Sequence, residues 1–532
     1  MPFTIKLPHY QTIKLVLGLL LAMSAYTATS QTQEFKDTYP NGKIRSEGVY
    51  ERGFENGPWK YYYEDGTLQE ETNYKMGKFH GSVKRYHTNG KLMVEGYFKD
   101  DKQDSIQRAF TADSTLVEEG FYLKGAKIGQ WNYFYSKGDT MLVEVYKDTI
   151  TFMMTYVDKK GVKTLSNGNG KIEDYFEAGK LRTRTLYKNG LPDGLFEEFF
   201  SGGTLRVSGE YHQGKKHGTW RDQFPTKEPR KIATYSEGVL NGPFEEYHGN
   251  GRLNVKGEHL NGKKSGYWKW FTEKGEKDME GSFVEDQQNG DWIYWYANGN
   301  KQYWGTFENG KMNGHFTYQY WEGQKWKEGD YKLGLKEGKW TFWFENGKVL
   351  MEGDFKDDLE EGLWNSYYES GKLQSKGSYS KGKMNGAWEG FYPNSVRTYT
   401  GSWFNDVKTG EWMYWTEQGR PEKKETYNKL GEMNGPAETY NAGGRLVSKG
   451  SYKNGKPNGK WEYFYDFGGP MRTCSYKEGK LNGKSIIYSE QGRVIEECEY
   501  LNNKRHGLYT SYDEKTGKVV LKQTYEKGVI VK

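Results

Sequence analysis

Hydrophobic and polar positions recur in this chain with a fixed spacing. Counting from a glycine at position 1, the segment starting at Gly290 reads GDWIYWYANGNKQYWGTFENGKMN, and the next such glycine is Gly314. Aromatic residues fill positions 3, 5, 6 and 7 (Trp292, Tyr294, Trp295, Tyr296), and Asn298-Gly299-Asn300 covers positions 9 to 11. Gly305 stands at position 16 and Phe307 at position 18. Alternating, aromatic-rich runs bounded by Asn-Gly predict β-hairpins. Glycines at positions 1, 10, 16 and 21 leave no stretch long enough for a stable helix.

The same unit returns at Gly170, Gly194, Gly218, Gly242, Gly266, Gly290, Gly314, Gly338, Gly362, Gly386 and Gly410, each 24 residues after the last. A fixed period of this size predicts an array in which each unit is stable only against its neighbours. The expected fold class is therefore all-β, an elongated single-layer solenoid of about twenty antiparallel hairpin repeats. At two strand spacings per hairpin its length would be on the order of 150 to 200 Å before twist.

A two-residue turn at positions 9 and 10 would set position 7 against 12, 5 against 14 and 3 against 16. Each position-3 tryptophan then faces a glycine, as Trp292 faces Gly305 and Trp364 faces Gly377, so that an indole can cover the space left by the missing side chain. Positions 3, 5, 7, 12, 14, 16 and 18 share one face, and the mostly polar positions 4, 8, 13, 15 and 17 share the other. Position 6 (Tyr62, Phe134, Trp295, Trp343, Trp415) adds a thinner aromatic row to that polar face.

The ends of the periodic region divide the chain. Residues 1–30 carry Lys6, Lys14, an apolar run from Leu15 to Ala22 and Ala28-Thr29-Ser30 ahead of Gln31. This is the pattern of a secretory signal peptide cleaved near Ser30/Gln31, and the apolar run is shorter than the roughly 20 residues a membrane span needs. Export to the periplasm or beyond is the expectation. Repeats occupy 31–140, an irregular insert occupies 141–169, where Gly129 and Gly170 lie 41 residues apart, and the regular array runs through 170–532.

Composition follows from the repeat: 17% aromatic residues and 69 glycines reflect its rings and turns. A mean hydropathy of −0.99 would suggest disorder in an aperiodic chain, but here Lys, Glu and Asn fill turns and the polar face. The formal charge is +6, with both signs interspersed and no basic stripe, which argues against nucleic acid as a partner. Lysines at positions 11 and 22, such as Lys43 and Lys311, read as solvated turn residues. Cys474 and Cys498 replace glycine at position 16 of successive copies. Equivalent strands lie roughly 9 to 10 Å apart, too far for a disulfide, so two free thiols are expected.

The segments Gly214-Lys215-Lys216-His217-Gly218-Thr219-Trp220, Lys504-Arg505-His506-Gly507-Leu508-Tyr509 and Tyr452 to Trp461 resemble the MORN repeat. More closely they resemble its bacterial variant, with Gly-x-Trp-x-x-Tyr-Tyr alternating with Asn-Gly-Lys-Leu. The resemblance implies hairpins side by side in a twisted sheet and roles in protein or membrane-lipid association. Some bacterial members carry the label of a YwqK-like antitoxin.

No catalytic constellation is recognisable. The nine histidines form no ligand cluster, and two cysteines cannot build a zinc site. Asn167-Gly168-Asn169-Gly170 is followed by no helix that could aim amides at a phosphate. The expectation is a non-enzymatic scaffold without cofactor or metal. Its candidate binding surface is the position-6 row, Phe271, Trp295, Trp343 and Trp415. The partner would be a protein, an extended polysaccharide or another envelope component, with peripheral membrane contact and oligomeric state left open. The alternative function is an antitoxin or immunity protein. A solenoid-type carbohydrate-active enzyme would need paired carboxylates in one groove.

Overall fold

A computed structural model describes residues 32–531, so the expected signal peptide lies outside the described residues. These residues form 46 strands and no helix. The chain divides into two compact units, residues 1–196 with 211–214 and residues 197–210 with 215–532. Within each unit the strands pair antiparallel with their sequence neighbours in an open, single-layer sheet.

In the second unit the copy from Gly290 shows how the sequence builds a hairpin. Strand Gln287–Trp295 pairs with strand Lys301–Glu308, setting Trp292 against Gly305 and Tyr294 against Tyr303, the expected register. Closer to the turn the expectation fails. The Tyr296 N–H donates to the Asn300 carbonyl at 2.8 Å and the Gly299 N–H to the Tyr296 carbonyl at 3.0 Å, so the loop has three residues. Trp295 consequently pairs with Lys301 across a bulge. Of the Asn298-Gly299 pair, only Gly299 has positive φ, at 87°, whereas a two-residue type I′ turn needs two such residues. The Asn298 side chain accepts the Asn300 N–H at 3.0 Å and donates to the Trp321 carbonyl one copy on at 2.7 Å. Those bonds explain the asparagine there. The two-residue turn occurs instead at the other end of the strand, where Glu308 pairs with Lys311 around Asn309 (φ 50°) and Gly310 (φ 76°).

Tryptophan joins the copies. The ladder before Gly290 (φ 76°) breaks between Gly281 and Ser282. The Trp292 ring lies there: a Cβ on Gly281 would overlap the indole, and Nε1 donates to the Ser282 carbonyl at 3.0 Å. The expected cover of Gly305 by Trp292 is therefore corrected. Register pairs the two, but Gly305 is covered by Phe316 of the next copy, and each ring reaches back to the preceding one. The acceptor carbonyl beside the ladder break directs the indole backward. Trp340 over Gly329, Trp364 over Gly353 and Trp412 over Gly401 repeat the contact, with Nε1 to carbonyl distances of 3.1, 3.1 and 3.2 Å. In the first unit Trp59 covers Gly48 and Trp131 covers Gly120 in the same way, both at 3.1 Å.

These indoles are the core of a sheet that has no second layer. Trp292 is 1% exposed, packed with Phe307, Phe316, Trp270, Phe283 and Tyr294. Phe283 meets it edge-on at 5.0 Å and 85°, an arrangement that suits the ring quadrupoles. Position-7 tyrosines add a second tie, as the Tyr320 hydroxyl donates to the Trp343 carbonyl at 2.8 Å. Position-11 lysines add a third: Lys348 donates to the Ser370 carbonyl at 2.7 Å, so this turn lysine ties neighbouring copies rather than only facing water.

Within 141–169 of the first unit, strands Thr140–Lys147, Ile150–Val157 and Lys163–Ser166 continue the antiparallel ladder. Glu144 takes the position-16 place there, buried, and accepts the hydroxyls of Tyr133 at 3.0 Å and Tyr146 at 2.6 Å. Cys474 and Cys498 are buried and free, as the spacing predicts.

Candidate functional site

The candidate row lies on the second unit's polar face, where each member ends a strand: Lys263–Phe271, Gln287–Trp295, Leu335–Trp343 and Val407–Trp415. The turn bulge falls at each of these positions, so Phe271 pairs with Lys277, Trp295 with Lys301, Trp343 with Val349 and Trp415 with Pro421. All four side chains are half-buried. Three of the four backbones are tied by the position-7 side chain of the preceding copy: the carbonyl of Phe271 accepts from His248 at 2.8 Å, that of Trp343 from the Tyr320 hydroxyl at 2.8 Å and that of Trp415 from the Tyr392 hydroxyl at 3.0 Å.

The row is not evenly filled. Phe271 and Trp295 belong to successive copies and share Lys277, which pairs with Phe271 and holds Nζ 4.9 Å from the Trp295 ring. Trp343 is two copies further, beyond Gln319, with Lys325 Nζ 5.3 Å from its ring. Trp415 lies beyond Tyr367 and Phe391. The sequence reading missed Trp304, at position 15 of the same copy, which pairs with Ile293 two residues before Trp295. Lys301 Nζ lies 4.9 Å from the Trp304 ring. The signal was present, because Glu280, Glu328 and Glu352 hold position 15 in neighbouring copies.

Tyrosines in the row are tied to acids, and the tryptophans are not. The Tyr367 hydroxyl donates to Glu352 at 3.0 Å and that of Tyr247 to Glu245 at 2.6 Å. Burial, reinforced by the Glu245 carboxylate, pushes Tyr247 up to about 12. In the first unit Tyr62 donates to Glu47 at 2.7 Å and is likewise raised to about 12 by burial and then by that carboxylate. Core indoles donate to backbone carbonyls, whereas the N–H groups of Trp295, Trp304 and Trp343 have no protein acceptor among the described residues.

Carboxylates on this face are engaged by lysines. Lys339 lies 3.0 Å from Glu352 and its hydrogen bond lowers that carboxyl's pKa. Lys460 and Lys449, at 2.6 and 2.9 Å, do the same to Glu462. Groups held ionised in this way are poor proton donors near neutral pH. Among the described residues no three His, Cys, Asp or Glu gather as a metal site. What the face offers chemically is flat apolar rings, free indole donors and balanced charge.

Four segments, residues 55–76, 79–100, 336–357 and 360–381, match the family described as MORN repeat variant, which supports the MORN repeat family for these copies. No curated protein matches the chain significantly. Among solved structures, the crystal structure of TcdB2-TccC3-TEV is 11% identical with a TM-score of 0.13, over 94% of this chain and 31% of that one. A mutant Tc holotoxin pore of Photorhabdus luminescens is 10% identical with a TM-score of 0.13, again over 94% and 31%. The chain thus spans about a third of the length of these structures.

Proposed function

We propose that the chain is an exported, non-catalytic repeat scaffold that binds a partner along the aromatic-bearing polar face of its hairpins. The observation that carries this reading is the contrast between the two sets of indoles. Core tryptophans are buried with their N–H groups bonded, while Trp295 and Trp343 stand half-exposed with donors turned to solvent. Rings that meet a neighbouring copy only through a lysine, on a face without a poised acid or base, suit recognition better than reaction. The four MORN-variant segments support a scaffold role at the level of the family. An antitoxin role, suggested by the family resemblance alone, is the alternative, and a toxin whose lethality coexpression relieves would favour it.

The test is capture of envelope components by the immobilised chain, repeated after substituting Trp295, Trp343 and Trp415 together. Loss of a specific partner is expected. Capture that does not change removes the row as the contact surface.

A further inference from the structure

We propose that Trp295, Trp304 and Trp343 form a stacking strip for a neutral, β-linked polysaccharide lying across the strands of the second unit. The proposal rests on the scaffold reading above and names its ligand. Position 6 returns every second strand, roughly 9 to 10 Å along the sheet, a spacing that matches the disaccharide rise of an extended β-1,4-linked glycan. Trp295 and Trp343 are four strands apart, or roughly 19 Å, with Trp304 on the strand next to Trp295. Gln319 leaves one step empty, so Trp295 and Trp343 stand two steps of this repeat apart, an interval that a polymer with the same repeat spans and that the surface of a globular protein does not reproduce.

Charge selects among periodic ligands. Lys277 is paired with Glu280 at 3.1 Å and Lys325 with Glu328 at 2.7 Å, which leaves Lys301 over Trp304 as the one lysine beside these rings without a carboxylate partner among the described residues, a single charge too sparse to hold a polyanion. The C–H faces of pyranose rings pack on flat indoles, and the unbonded N–H groups of the three tryptophans are available to sugar hydroxyls. Around them the partly exposed Gln302, Thr306 and Thr341 supply neutral polar groups of the kind that bind hydroxyls.

The array itself supplies tolerated replacements: Gln223 and Gln319 already occupy position 6, and Thr400 occupies position 15. The purified full chain is tested for depletion from solution by insoluble chitin, insoluble cellulose and an alginate gel, beside capture of envelope proteins. Depletion by a neutral polysaccharide is expected, with the apparent Kd raised at least about tenfold in the triple variant Trp295→Gln, Trp304→Thr, Trp343→Gln at unchanged thermal unfolding. The single variant Trp343→Tyr keeps a ring and should lose less than the triple variant. Absence of depletion by both neutral polysaccharides, depletion by alginate alone, or equal depletion by the triple variant overturns the proposal. In that event, a specific envelope protein captured by the parent and lost by the variant would leave the scaffold reading standing. Loss of neither class would remove both.

Discussion

Gly329 and Trp340 allow the backward-reaching indole to be tested by a double-mutant cycle. Gly329 does not lie in the left-handed region, so its backbone accepts an ordinary residue, and the obstacle to a side chain is the Trp340 ring itself. Gly329→Thr forces that ring aside and should cost about 3 kcal/mol, the upper end of overpacking. Trp340→Val deletes an indole that is 0% exposed, together with its 3.1 Å bond to the Asp330 carbonyl, at about 3 to 4 kcal/mol. If the two sites were independent, the double variant would lose about 6 to 7 kcal/mol. The chain already holds the alternative solution, because Thr72 is paired with Val83 and both are buried, at 1% and 5% exposure. The double variant should therefore lose only about 3 to 4 kcal/mol, a coupling of about 3. Urea unfolding of all four proteins, fitted with nearest-neighbour interface energies rather than one two-state transition, measures this. Additivity within about 0.5 kcal/mol would refute the idea that the ring depends on the glycine.

Other outcomes follow from single residues. Cys474 and Cys498 should both titrate as thiols in denaturant and react slowly in the native chain, because both are buried and burial raises both pKa values; finding no thiol in denaturant would mean a disulfide. His259 sits edge-on to Phe244 and Trp268, 5.1 Å from each, and burial lowers its pKa. The unfolded chain binds that proton more readily, so stability of the second unit should fall as pH drops through the ordinary imidazole value of about 6.5. His259→Tyr, the residue most copies carry at position 18, should flatten the part of the Tm profile due to this group, and an unchanged pH dependence would contradict that assignment. Tyr320→Phe removes the bond to the Trp343 carbonyl and should cost about 1 kcal/mol in urea unfolding; no measurable loss would discount the position-7 tie.

Much of this architecture could be read from spacing. Strand register follows from period-2 alternation and the glycine positions, so Trp292 against Gly305 and Tyr294 against Tyr303 were accessible without coordinates. The turn was not, because Asn-Gly serves two purposes in one repeat. At Asn309-Gly310 both residues adopt positive φ, whereas at Asn298-Gly299 the asparagine is kept for its side-chain bonds. The direction of the tryptophans was missed although the chain encodes it. Position 16 is glycine wherever position 3 of the following copy is tryptophan, and it departs from glycine only where that tryptophan is missing: Thr72 precedes Val83, Glu425 precedes Ala437 and Cys474 precedes Ser485. Within the candidate row the interruption at Gln319 was legible, while Trp304 was overlooked because it belongs to a position read as acidic.

The backward reach of each indole also gives the array a polarity that a plain stack of hairpins would lack. Excising Gly338 through Glu361 would bring Trp364 over Gly329 and rebuild the junction that Trp340 makes there. Copies that both offer the glycine and carry the tryptophan are thus interchangeable cassettes, and gene duplication or loss among them can change how many a descendant carries without redesigning a seam. A cut out of phase strands an indole without its glycine.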